Sequence, residues 1–83
     1  MLEKFDTLEL KDVLDPCLGA GNLIAGAIFA GADPKRCFGI ELDPDVLKVA
    51  KRRLAILGVP PCNLVEGNAL DSTIYEKFET QGM

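Results

Sequence analysis

The sequence contains no histidine and no tryptophan, and its three cysteines form no C-x-x-C pair. Zinc sites are built from closely spaced Cys and His ligands, so the composition argues against zinc, and we expect no metal site. Nucleophilic catalysis that depends on a histidine base is excluded for the same reason. Cys17 lies in a glycine-bearing stretch, but the chain offers no imidazole to activate its thiol.

Long hydrophobic runs and an excess of positive charge are also missing. The longest apolar run, from Leu23 to Ala32, has ten residues, whereas a membrane-spanning helix needs about 20. The net charge of −4 predicts a poor nucleic-acid binder when the chain is alone, because phosphate contacts need clustered cations. An odd number of cysteines without a recognisable signal peptide predicts a cytoplasmic location.

The apolar fraction of 48% in 83 residues is enough for one small domain, which we expect to span residues 1–83. Short apolar runs alternate with stretches of helical period, which predicts a β-α-β-α-β order followed by a final helix. Such an α/β unit has parallel strands joined by right-handed crossovers. The predicted strands are 12–14, 37–42 and 63–66, and the predicted helices are 22–31, 44–57 and 72–78. Leu8 and Leu10 are expected to extend the first strand or to pack beneath it.

Residues 12–22 are central to this order because they read as a buried strand, a glycine-bearing loop and the start of a helix. Gly19 and Gly21 allow a tight turn and a close approach of the backbone to a ligand. A helix that begins near Asn22 directs free N–H groups toward that loop. Units of this kind bind the polar or anionic part of a nucleotide-like cofactor.

The spacing of the glycines discriminates between cofactors. Gly19 and Gly21 fit the first two positions of the dinucleotide motif G-x-G-x-x-G, but Ile24 stands at the third. The pattern D-x-x-x-G-x-G, from Asp15 to Gly21, resembles the first motif of S-adenosylmethionine-dependent methyltransferases. The longer string DPCLGAGNL, residues 15–23, resembles the form found in DNA adenine-N6 methyltransferases and restriction–modification methylase subunits. The resemblance covers about residues 12–71.

Glu41 is the second feature that points to an adenosine-containing cofactor. It lies 20 residues after Gly21, at the predicted carboxyl end of the second strand. A carboxylate there can accept hydrogen bonds from both ribose hydroxyls, and the resemblance implies the same role. S-adenosylmethionine and NAD both carry an adenosine ribose, so Glu41 does not separate them. An ordinary surface acid at a strand end is the alternative.

The resemblance implies roles for further residues. Leu42 would stack on the adenine ring, with a core contact as the alternative. Asn68 stands where the family has Asp to read the adenine amino group, and the Ala69 N–H would meet a ring nitrogen. Asp15 would lie near the methionine amino group or cap the glycine turn, and Asn22 would cap the helix or touch the cofactor. The complete predicted site is Asp15, Pro16, Gly19, Gly21, Asn22, Glu41, Leu42, Asn68 and Ala69.

The resemblance also shows what is missing. Amino methyltransferases carry a (D/N/S)-P-P-(Y/F/W) motif that holds the target amino group and stacks on a flipped base. The chain has only Pro60-Pro61, preceded by Val59 and followed by Cys62, so we assign no catalytic residue. The family's sheet has seven strands, and three are found here. We therefore expect the cofactor-binding half of a Rossmann-like three-layer fold, with strand order 3-2-1.

This incomplete domain has consequences for partners. DNA would be reached only through missing regions or another chain. The first strand would leave an unpaired sheet edge, and one face of the sheet would be uncovered, which predicts self-association. Three alternatives stay open: an NAD-type dinucleotide-binding module, a non-catalytic methyltransferase-like remnant or assembly module, and a methyltransferase portion that acts on RNA, protein or a small molecule.

Overall fold

The computed structural model describes residues 12–82, which form a parallel three-stranded sheet with helices on both faces. The predicted first-strand extension by Leu8 and Leu10 lies outside the described residues. The strands are β1 (Val13–Asp15), β2 (Cys37–Glu41) and β3 (Leu64–Glu66), and the α-helices are α1 (Asn22–Phe29), α2 (Pro44–Ile56) and α3 (Thr73–Thr80). The spatial order β1-β2-β3 and the parallel pairing confirm the predicted 3-2-1 arrangement.

The strand register places the predicted site residues at the carboxyl end of the sheet. Asp15, the last residue of β1, lies opposite Gly39, whereas β2 continues for two more residues to Glu41. Glu41 in turn lies opposite Glu66, the last residue of β3. Since β1 ends early, the chain after it folds over the end of β2, and the Leu18 N–H donates to the Ile40 carbonyl at 2.8 Å.

Helices α1 and α2 pack on the same face of the sheet. Side chains that alternate along the strands point to this face, as strand geometry requires, and they meet apolar residues from both helices. Gly39 lies on this face, and a Cβ there would lie 2.7 Å from the Leu18 Cδ1 atom. The buried core on this face consists of Leu18, Ile24, Ala32, Cys37, Leu47, Ala50, Leu54, Val59 and Leu64.

Helix α3 packs on the opposite face, which corrects the expectation that this face is uncovered. Phe38 and Ile40 of β2 are 1% exposed because Ile74 and Phe78 of α3 lie over them. The Phe38 and Phe78 rings meet edge to face, with centroids 5.4 Å apart. The final helix begins at Thr73 rather than Ser72 and runs two residues beyond its predicted end. Helices therefore cover both faces, in three layers.

Glycines follow the ends of α1 and α2, and an aspartate caps the start of α2. Gly31 and Gly58 follow α1 and α2 with positive φ of 111° and 97°. The two glycine N–H groups donate to carbonyls near the helix ends at 3.0 Å each, which satisfies carbonyls that would otherwise be unpaired. Asp43 caps α2 by accepting from the N–H groups of Asp45 and Val46 at 2.9 and 3.3 Å.

Helix α1 is apolar over most of its length, but only part of it is buried. Only Ile24 is fully buried, whereas Leu23 is 61% and Phe29 81% exposed. Residues 12–82 therefore leave part of the apolar surface of α1 uncovered. The helix is also shorter than predicted, because it ends at Phe29 and not at Gly31.

Candidate functional site

The loop that follows β1 is tied to its surroundings at almost every residue. Asp15 is buried, and its Oδ1 atom accepts a hydrogen bond from the Cys17 N–H at 3.0 Å. The Gly21 N–H donates to the Leu18 carbonyl at 2.9 Å. Gly19 and Gly21 have φ values of 54° and 87°, a region where a Cβ is unfavourable. The tight turn predicted at these two glycines is thus confirmed.

Glu41 connects this loop to the start of α2. Its Oε1 atom accepts from the Gly19 N–H at 2.8 Å, and its Oε2 atom accepts from the Asp43 N–H at 2.9 Å. The carboxylate therefore faces the glycine loop, as a ribose-binding acid would. The structure adds a role that the sequence did not suggest, because both carboxylate oxygens also fix backbone groups of the protein.

The opposite side of the loop rests on α2. A Cβ at position 21 would lie 2.9 Å from the Leu54 Cδ1 atom, so glycine is required for contact as well as for conformation. Arg53 donates to the Ala20 carbonyl at 3.0 Å and to the Asn22 Oδ1 atom at 3.3 Å. The loop is thereby held from α2 and from the end of β2.

The structure corrects the prediction that Asn22 caps α1. The helix begins at Asn22 itself, the N-cap position is Gly21, and no side chain caps it. The Asn22 side chain instead accepts a hydrogen bond from Arg53. An asparagine before a helix-period stretch usually indicates a cap, but the left-handed conformation of Gly21 shifts the start of the helix by one residue.

The loop that follows β3 forms the other side of the site. The Gly67 N–H donates to the Glu41 carbonyl at 2.9 Å and extends the pairing of β2 with β3 by one bond. The Asn68 Oδ1 atom accepts from the Leu70 N–H at 3.0 Å, so the amide oxygen stabilises its own turn. The Tyr75 hydroxyl of α3 donates to the Ala69 carbonyl at 3.0 Å.

Between these two loops lies a cleft of about 210 Å³ at the carboxyl edge of the sheet. Five of the predicted site residues line it: Pro16, Glu41, Leu42, Asn68 and Ala69. Cys17, Ile40 and Gly67 also line it, although the sequence did not mark them as site residues. Their proximity in sequence to Pro16, Glu41 and Asn68 was the available signal. Of the remaining predicted residues, Asp15 ends β1, Gly19 and Gly21 lie in the loop that follows it, and Asn22 begins α1.

A second, slightly larger concavity of about 260 Å³ lies between α1 and α2. Apolar residues of both helices line it, including Phe29, Ile56 and Leu57, and Arg53 is the charged residue in its lining. In open α/β sheets, ligands bind at the carboxyl ends of the strands. The smaller cleft satisfies that rule and contains the carboxylate, so we regard it as the candidate site.

Residues 12–82 contain neither a metal-binding cluster nor a membrane-spanning helix. No group of three or more His, Cys, Asp or Glu side chains in this range is arranged to hold a metal ion. None of the helices in the same range is both long enough and apolar enough to cross a bilayer.

Comparison with known proteins finds similarity in sequence and no match among solved structures. No family model matches the chain, and no solved structure matches it. The chain is 31% identical over 68 residues to the Type II methyltransferase M.VspI of Vibrio sp. (strain 343). The match covers 78% of this chain but 17% of that protein, so the chain spans about a sixth of its relative's length. This similarity supports a relationship of the chain to the methyltransferases.

Proposed function

We propose that the chain binds S-adenosylmethionine in the cleft between the loops after β1 and β3, as the cofactor-binding portion of a methyltransferase. The observation that carries the proposal is the position of Glu41. Its carboxylate lies at the carboxyl end of β2, borders the cleft and accepts from Gly19 at 2.8 Å. The similarity to a Type II methyltransferase supports the same reading.

The lining residues suit the parts of this cofactor. Each carboxylate oxygen of Glu41 has a second lone pair beyond the one used by the protein backbone, so it can still accept from a ribose hydroxyl. Leu42 is 70% exposed and borders the cleft, which leaves its side chain available to an adenine ring. Asn68 and Ala69 provide polar groups for the edge of that ring. When bound, the cofactor supplies an electrophilic methyl group on its sulfonium.

Asp15 and Pro16 lie on the side of the cleft formed by the glycine loop. We assign them to the methionine end of the cofactor, with Asp15 acting through the loop. Its carboxylate is 5% exposed and holds the Cys17 N–H, so it positions the backbone. Gly19, Gly21 and Asn22 shape the same loop.

For the methyl acceptor, we propose the N6 amino group of adenine in DNA, in a restriction–modification context. The support is the string from Asp15 to Leu23 and the similarity to a Type II methyltransferase. The chain lacks the (D/N/S)-P-P-(Y/F/W) motif, so another region or another chain would hold the base. Binding of cofactor without methyl transfer is therefore expected of residues 1–83 alone.

Two cysteines provide a direct test. Cys17 is exposed and lines the cleft, whereas Cys62 is exposed in the turn before β3, at the opposite end of the strands. S-adenosylhomocysteine should slow the alkylation of Cys17 by iodoacetamide and leave Cys62 unchanged, when each site is followed by peptide mass spectrometry. Calorimetry should show binding of S-adenosylhomocysteine and none of NAD.

The possible outcomes separate the alternatives. Protection of Cys17 by NAD alone would replace our proposal with a dinucleotide-binding module. Equal alkylation of Cys17 with and without either ligand, together with no heat of binding, would refute a cofactor role for the cleft. A methyl-transfer assay on DNA gives a third result, because activity from the isolated chain would contradict the assignment of the base-binding residues to another region.

A further inference from the structure

We propose that Tyr75 is a positioning residue that sets the adenine selectivity of the cleft. The inference rests on the proposed function and concerns a residue on α3, outside every motif that the sequence revealed. The Tyr75 hydroxyl donates to the Ala69 carbonyl at 3.0 Å, in a partly buried contact between α3 and the loop that lines the cleft.

The loop after β3 leaves one N–H group directed away from its own turn. The Asn68 carbonyl accepts from the Asp71 N–H at 2.9 Å, so this carbonyl points into the turn. In a planar trans peptide the C=O and N–H groups point in opposite directions. The Ala69 N–H, which shares that peptide, is therefore directed out of the turn. Because Ala69 lines the cleft, this donor is suited to a ring nitrogen that has a free lone pair.

Tyr75 fixes the next peptide in the chain. The Ala69–Leu70 peptide is held at both ends, since its carbonyl accepts from Tyr75 and its N–H donates to the Asn68 Oδ1 atom at 3.0 Å. With this peptide fixed, the backbone at Ala69 has little freedom to rotate. The hydroxyl of Tyr75 thereby preserves the direction of the neighbouring Ala69 N–H.

The Tyr75 ring is itself anchored to the sheet. It meets the Phe78 ring edge to face with centroids 6.3 Å apart, and Phe78 meets Phe38 of β2 at 5.4 Å. Phe78 is fully buried and Phe38 is 1% exposed. Helix α3 therefore connects β2, which carries Glu41, to the loop that carries Ala69. Glu41 and Ala69 are thus held in place by the same packed residues.

Selectivity follows from the direction of the Ala69 donor. Adenine N1 is an acceptor, whereas the corresponding nitrogen of hypoxanthine carries a hydrogen and would oppose the Ala69 N–H. A well-placed donor discriminates between them because a buried polar group without a partner is costly. A loop that can rotate loses this discrimination before it loses the ability to bind.

The test uses Tyr75→Phe, which removes only the hydroxyl and keeps the aromatic contacts. Thr80→Val is the matched control, because Thr80 at the other end of α3 also donates its hydroxyl to a backbone carbonyl, that of Lys77. Binding of S-adenosylhomocysteine and of S-inosylhomocysteine is measured by calorimetry for the unsubstituted chain and both variants. Thermal unfolding is recorded in parallel.

We expect Tyr75→Phe to weaken S-adenosylhomocysteine binding about threefold to tenfold, the range for one net hydrogen bond, and to narrow the preference over the inosyl analogue. Thr80→Val should leave both affinities unchanged. An unaltered preference in Tyr75→Phe, or an equal loss for both ligands, would overturn the inference while the proposed function stands. Failure of the unsubstituted chain to bind S-adenosylhomocysteine would instead refute the proposed function, and the inference with it.

Discussion

The replacement Glu41→Gln tests the physical basis of the site because it removes charge and one acceptor without changing the length of the side chain. Glu41 accepts two backbone hydrogen bonds, from Gly19 at 2.8 Å and from Asp43 at 2.9 Å. A glutamine amide has one acceptor oxygen, and its NH₂ group would oppose the remaining N–H donor. One of the two bonds must therefore be lost.

The size of the effect follows from these bonds. A hydrogen bond to a charged group contributes about 1.5–3 kcal/mol, and partial exposure of this carboxylate lowers the figure, so we expect a loss of about 1–2 kcal/mol in the free energy of unfolding. In a domain of this size each kcal/mol lowers the melting temperature by about 4–8 °C. Urea unfolding monitored by circular dichroism measures the change.

Glu66→Gln is the matched control. Glu66 lies opposite Glu41 in the sheet register and is exposed, and its side chain accepts no hydrogen bond from residues 12–82. This variant should unfold like the unsubstituted chain. If both variants have the same stability as the unsubstituted chain, Glu41 does not hold the loop, and the structural argument is wrong.

Affinity separates the two roles of Glu41. If the carboxylate also accepts ribose hydroxyls, Glu41→Gln should weaken S-adenosylhomocysteine binding about tenfold to a hundredfold. A loss of stability with unchanged affinity would leave Glu41 as a loop anchor and remove it from the proposed cofactor site.

Four further predictions concern the helices, the core and the sheet edge. Gly26→Ala should stabilise the chain by up to about 1 kcal/mol, because a Cβ there meets no atom within 4 Å and alanine favours the helix. Gly39→Ala should cost about 1–3 kcal/mol through overpacking, and urea midpoints of both variants equal to that of the unsubstituted chain would contradict both predictions. Burial, with a smaller contribution from Asp33, raises the pKa of Cys37 from 9.0 to about 11. As the pH rises, the thiol of the unfolded chain therefore ionises before that of the folded chain. The free energy of unfolding should be unaffected by this group below pH 9 and should fall as the pH rises to 11. In Cys37→Ala, the free energy of unfolding should depend less on pH over this range. The edge of β1 that does not face β2 should support self-association, and sedimentation that shows only monomer at micromolar concentration would count against it.

The order and the approximate bounds of the helices and strands could be predicted from residues close together in the chain. Asp43 before Pro44, and Gly31 and Gly58 after apolar stretches, mark helix ends because their preferences are local. The ends of the strands were predicted to within one residue. The spacing of a strand–loop–helix unit predicted that the loop with Gly19 and Gly21 lies close to Glu41, and the structure brings this loop and Glu41 together.

Other features depend on contacts between distant residues and could not be read from the chain. The prediction of an uncovered sheet face failed because the sequence did not show that Ile74 and Phe78 would pack on β2. The prediction for Asn22 failed because Leu54 and Arg53 of α2 determine how the preceding loop enters the helix. A cap preference of about 1 kcal/mol is too small to prevail over such packing.

By itself, the sequence determined the α/β order, the approximate extent of the helices and the pairing of a glycine loop with a carboxylate 20 residues later. These features depend on local conformational preference and on the period of apolar residues. Only the tertiary structure decided that the Glu41 carboxylate is shared between Gly19 and Asp43, and that Tyr75 holds the loop at Ala69. The bonds to Gly19 and to Ala69 depend on the packed structure, because packing brings these donors and acceptors from different elements within 3 Å of each other.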